Sequence, residues 1–156
     1  MLRIPISLTL AVLLSGCLGA DQPPPAPGQR AKGRKGDPEL VHHWQMPADK
    51  SPLQSADLGS EPPALADALM QGGAAPSITH RIALACATQS ALAGTESVAL
   101  RLGVAEGGTL ESLEGDPAGK AASCLADALR AELAESSDLP AGAALLVLQF
   151  HGSEAR

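Results

Sequence analysis

Tyrosine is absent from this 156-residue chain, and tryptophan and phenylalanine occur once each. That scarcity excludes the aromatic faces on which single-stranded RNA and sugars stack. Basic residues are also few: 11 Lys and Arg against 17 Asp and Glu leave a formal net charge of −6. Neutralising phosphates needs the opposite balance, so nucleic acid is not the partner. Long apolar runs are missing as well. The run at residues 4–14 is interrupted by Pro5, Ser7 and Thr9, and falls well short of the roughly 20 residues a helix needs to cross a bilayer. What is present is an apolar fraction of 45%, drawn mainly from Ala, Leu and Val, with mean hydropathy of +0.08. That content is too high for wholesale disorder, but such a core buries little area per residue.

The short apolar run, preceded by Arg3, has the form of an export-signal core. Directly after it stand Leu14, Ser15, Gly16 and Cys17. This quartet resembles the lipobox of bacterial lipoproteins, which implies that 1–16 is a signal peptide and that Cys17 carries diacylglycerol. Acyl chains contribute about 0.8 kcal/mol per buried CH₂, so two or more make a stable membrane anchor without a spanning helix. The residue after Cys17 is Leu18 rather than Asp. By similarity to enteric sorting, that implies the outer membrane, with the protein facing the periplasm.

From 17 to 60 the sequence predicts a Pro-rich linker. Nine of the 13 prolines fall between Pro23 and Pro63, and proline removes backbone donors and fixes φ. Arg30, Lys32, Arg34 and Lys35 form a small basic cluster there, readable as a solvated run or as a contact with anionic lipid or the acidic domain beyond. His42, His43 and Trp44 also lie in this stretch. Three readings stay open for them: a plain loop, an apolar docking motif, and a weak metal site, for which two histidines lack further ligands.

Residues 77–152 carry the periodic signals. Ser77 is placed to cap a helix with Ile78, Ile82, Ala85, Cys86 and Leu92 near one face and Gly94 as its stop. Val98, Leu100, Leu102 and Val104 alternate with smaller or polar residues, the period of a half-buried strand. A Gly107-Gly108 turn leads to a short return strand, and Asp116-Pro117 reads as the cap and first turn of a second helix. That helix presents Cys124, Leu125, Ala128 and Leu129; 143–150 then runs nearly continuously apolar as a buried strand. Residues 61–76 hold a weaker outer helix at 63–70, and 153–156 form a tail. The fold class is therefore α+β, a two-layer α-β-β-α-β sandwich.

Three cysteines are an odd number, but lipid claims Cys17 and leaves Cys86 with Cys124. Both sit on apolar helix faces, in an oxidising compartment if the signal reading holds, which predicts a disulfide, with two buried thiols as the alternative. No CxxC spacing marks either as a catalytic thiol.

The Cys86 helix, Leu92 and Gly94, the alternating strand, the Gly107-Gly108 turn, the Cys124-Leu125 pair, the Pro140/Gly142 break and Phe150 together resemble the TonB C-terminal-like domain of the myxobacterial AgmX type. The resemblance covers 78–150, about half the chain, and departs where Ala87 follows the first Cys and where 136–139 lacks aromatics. It implies a small periplasmic binding module. The family's force-transducing role needs an inner-membrane helix, which a lipid anchor does not replace.

No HExxH, GxSxG or Walker motif is present, so the sequence predicts a non-enzyme without cofactors. Glu96, Glu106, Glu111, Glu114 and Asp116 read as a solvated strand and turn surface. The leading expectation is a lipid-anchored interaction module or scaffold with an envelope-protein partner. A binder of a small ligand or metal through His42, His43, His80 and His151 is the alternative, and a small enzyme the second. Residues 61–156 hold 12 acidic and five basic side chains, net −7, whereas 18–60 balance at five each. The domain should therefore favour neutral or basic partner surfaces, with association weakening as salt rises.

Overall fold

A computed structural model describes residues 34–151, apart from 135 and 137. In chain order the elements are β1 (His42–Gln45), β2 (Leu53–Glu61), α1 (Pro63–Met70), a 3-10 turn (Gln71–Gly73), α2 (Ala74–Thr88), β3 (Ser97–Val104), β4 (Leu110–Asp116), α3 (Lys120–Leu133) and β5 (Gly142–Phe150). The strands form one antiparallel sheet in the order β1-β2-β5-β3-β4. The fold is α+β, as the periodicity predicts, and the run α2-β3-β4-α3-β5 follows the predicted order.

Strand alternation sorts the side chains into two sets. Ala56 and Leu58 of β2 lie in register with Leu148 and Leu146 of β5, which in turn face Val98 and Leu100 of β3. All three helices pack on this face, where Leu69, Ile78 and Leu129 meet Leu58, Leu102 and Leu146. Here Gly115 lets α3 lie directly on β4, because an added Cβ would come within 2.6 Å of Ala122 Cβ. The core is Leu- and Ala-rich, with Phe150 as its one buried aromatic among the described residues.

Four expectations need correction. The linker predicted over 17–60 gives way to structure from residue 34 onward, and β2 lies beside the central strand. Its prolines are punctuation: Pro47 and Pro52 bound the β1–β2 connection, while Pro63 takes the first helical position of α1. The β2 sequence, LQSADLGSE, has weak strand propensity and a register shift near Leu53. Burial of Leu53, Ala56 and Leu58 overrides that propensity. Helix α1 is not an outer appendage, since Leu65 and Ala66 are fully buried; Ser60 Oγ accepts from the Ala66 amide at 2.7 Å and secures its first turn.

Third, neither predicted cap operates. Helix α2 starts at Ala74, leaving Ser77 inside it, because Pro76 is tolerated in a first turn. It ends at Thr88, before the predicted Gly94 stop; Gly94 (φ +71°) sits beyond a further turn. Helix α3 starts at Lys120, and Asp116 remains in β4 with its carboxylate engaged elsewhere. Fourth, β3 is buried on both faces at Val98 and Ala99 rather than half-buried.

Cys86 and Cys124 lie with sulfurs 2.10 Å apart and Cα atoms 5.9 Å apart, joining α2 to its neighbour α3 on the same side of the sheet. Closing a loop of 38 residues is worth roughly 4 kcal/mol in the chain-entropy model. Reducing the protein, or replacing both cysteines with alanine, should lower unfolding free energy by about 2–4 kcal/mol in denaturant titration. Leu58→Ala should cost about 2–5 kcal/mol in the same assay, whereas a linker residue there would change stability by less than about 0.5 kcal/mol.

Candidate functional site: the strapped sheet face and its edges

The face of the sheet opposite the helices is crossed by residues 34–41, which form a strap leading into β1. Arg101, on the second face of β3, receives Asp37 in a two-pronged pair: Nε to Oδ1 and Nη2 to Oδ2, each 2.8 Å. Both side chains are about 15% exposed (15% and 14%). Asp37 also accepts from the Arg34 amide at 2.6 Å. Arg34 extends its guanidinium over β4, 3.3 Å from Asp116 and 3.8 Å from Glu114. Arg101 also donates from Nη1 to Asp116 at 3.4 Å, so two cations and three carboxylates form one network.

The far end of the strap is fixed by backbone proximity. A Cβ built on Gly59 would lie 1.9 Å from the Glu39 carbonyl oxygen, so only glycine admits the strap there. The Val41 amide then donates to the Leu58 carbonyl at 3.0 Å and starts β1. Gly59, Leu145 and Arg101 share one row across β2, β5 and β3. The strap runs along this row, and Leu145 beneath it is only 3% exposed.

The paired histidines are not one metal site. Strand alternation sends them to opposite faces: His42 Nε2 meets Asp67 of α1 at 3.2 Å, whereas His43 Nδ1 meets Asp57 of β2 at 2.7 Å. Neighbours on a strand cannot both ligate one ion through their side chains in this geometry. His80 lies on α2 and His151 just beyond β5, and no three His, Cys, Asp or Glu residues gather as a metal cage among the described residues. Trp44 docks inward, its indole N–H donating to Thr79 Oγ1 at 3.2 Å. The docking alternative for this motif is thus met within the chain itself. Cys17 lies outside the described residues, as do Arg30 and Lys32.

Recesses among the described residues include two elsewhere. A shallow cleft of about 420 Å³ between α2 and α3 is lined by Arg81, Ile82, Ala85, Ala128, Ala131 and Glu132. Its charges satisfy each other, since Arg81 donates from Nε and Nη2 to both oxygens of Glu132 at 2.9 and 2.5 Å. This pairing holds the Glu132 carboxyl below its ordinary range and raises Arg81. Between the helices and the sheet is a space of about 20 Å³ walled by Leu58, Leu102, Leu129 and Leu146, a packing gap of a core short of large side chains.

Of the predicted acidic surface, Glu106 and Glu111 are exposed, and Glu114 with Asp116 is drawn into the strap network. Arg101, Asp37 and Gly59 were not singled out by sequence reasoning. Arg101 had a signal: a lone cation in the alternate slots of an apolar strand. Compared with protein-family models, curated proteins and solved structures, the chain matches none.

The Arg101 hydrogen bonds, helped by the Arg34 amide, hold the Asp37 carboxyl down to about 2 from an ordinary 3.8. A depressed carboxyl stabilises the fold fully above the unfolded-state value and loses that contribution as pH falls through the folded value. Asp37 should therefore contribute about 2 kcal/mol above pH ~4 and lose it between pH ~4 and ~2. The difference in unfolding free energy between the natural chain and Asp37→Asn should shrink across that window; an unchanged difference would mean the pair does not hold the strap.

Proposed function

We propose that this protein is a lipid-anchored component of the cell envelope whose small domain is a protein-interaction module. In this reading the signal peptide 1–16 is removed and diacylglycerol on Cys17 holds the chain at the outer membrane, facing the periplasm. In sequence, residues 18–33 separate Cys17 from the strap, and an envelope protein is the partner in this reading.

The observation that carries the module reading is the sheet's pair of open outer strands. Among the described residues, β1 pairs only with β2, and β4 only with β3. An outer strand presents unpaired N–H and C=O groups, and an extended segment can add to them. The two recesses described above offer no comparable opportunity, because Arg81 and Glu132 neutralise each other and the internal gap is walled by leucine. The resemblance to TonB C-terminal-like modules and the lipobox quartet support the same reading from sequence.

Two measurements test it in cells. Metabolic labelling with a palmitate analogue should mark the full chain and be abolished in Cys17→Ala; absence of label would remove the anchor. In-cell crosslinking of the full chain should recover a specific envelope protein, and recovery of none would remove the module.

A further inference from the structure

The two open edges are chemically unlike, and resting on the module reading, we infer that β4 is the one that selects a partner: an extended segment alternating basic and apolar residues. β1 offers four residues and ends beside Pro47, whereas β4 offers seven. The register of β4 on β3 places Ser112, Glu114 and Asp116 on the strapped face, opposite Gly103, Arg101 and Ala99. Leu110 and Leu113 fall on the helix-facing side and are only half-buried. A strand added to β4 thus meets acid on one side of its pleat and aliphatic surface on the other. Side chains alternating with period two satisfy both.

Charge excludes the other occupants. A second copy pairing β4 to β4 would bring the Glu111, Glu114 and Asp116 set of each chain together, and like charges across a strand pair are destabilising. Anionic lipid and nucleic acid are repelled for the same reason. The chain itself shows the accepted chemistry, because the Arg34 guanidinium already rests between Glu114 and Asp116. It is 56% exposed, so an incoming Lys or Arg competes with a solvent-screened contact rather than with a buried one. Arg34 is accordingly a resident competitor that tunes access to the edge.

The test uses the full chain and a fluorescent seven-residue peptide alternating lysine and valine, read by anisotropy. Two controls accompany it: a block-ordered peptide of the same composition, and the alternating peptide N-methylated along one edge. The alternating peptide should bind and weaken with salt. It should bind roughly tenfold more weakly to Glu114→Lys, and more tightly to Arg34→Ala. N-methylation of the pairing edge should abolish binding, and the block peptide should bind poorly. Glu114 is 70% exposed, so its reversal leaves the fold intact, checked by thermal unfolding. Equal binding of the block or methylated peptide would reduce the edge to a charge patch and overturn the inference. So would indifference to Glu114→Lys, or failure to bind both the natural chain and Arg34→Ala. A partner recovered by crosslinking after such a failure would leave the module reading standing with a different surface.

Discussion

β5 points Leu146 and Leu148 to one side of the sheet and Leu145 to the other, and all three are at most 5% exposed. A middle strand that is apolar on both faces has to be covered twice. Three helices provide one cover. The other is the irregular strap at 34–41, held at one end by Arg101 and at the other by the close approach of Glu39 to Gly59. Both flanking strands follow from the same requirement: β2 and β3 must pair with β5 along its length, and each places its own apolar set on the helix side.

Small side chains shape how this is done. With few aromatics, the layers close by bringing backbone near backbone, as where Gly115 admits Ala122 and Gly59 admits the strap. Close approach of this kind leaves little volume to fill, and suits a core of Ala and Leu. It also makes the disulfide useful. Cys86 and Cys124 tie α2 to α3 at a helix pair whose facing surface includes Ala85, Ala128 and Ala131, residues that bury little area when packed.

The proposed function rests on the asymmetry between the faces and edges. The helix side is closed, with its surface ion pair saturated, and the strapped side is bound up in the Arg34–Asp37–Arg101–Asp116 network. Among the described residues, the outer strands then present open rows of backbone hydrogen-bonding groups, one short and proline-bounded, the other longer and acidic. A partner arriving at the β4 edge would meet a charge set partly by Arg34, a residue of the chain's own strap. The strap is thus both a structural cover and the neighbour of the proposed docking strand.

Local pattern alone was enough to read α2, β3, α3 and β5, because apolar spacing in each repeats within a few residues. The Gly107-Gly108 turn was legible for a similar reason, since both residues adopt positive φ (93° and 81°). Cysteine arithmetic was enough for the Cys86–Cys124 pair. The site was much less legible. Arg101 and Asp37 are 64 residues apart, and nothing near Asp37 announces a partner on β3. β2 was hidden because Ser55, Asp57 and Ser60 interrupt its apolar residues and the prolines around it imitate a linker. So the sequence by itself determined the order of the C-terminal elements and the cysteine pairing, which rest on short-range periodicity and counting. Only the tertiary structure decided that residues 34–61 belong to the domain, that His42 and His43 serve different faces, and that Arg34 meets the edge of β4. Those outcomes depend on register and backbone contact between distant segments, which no local period encodes.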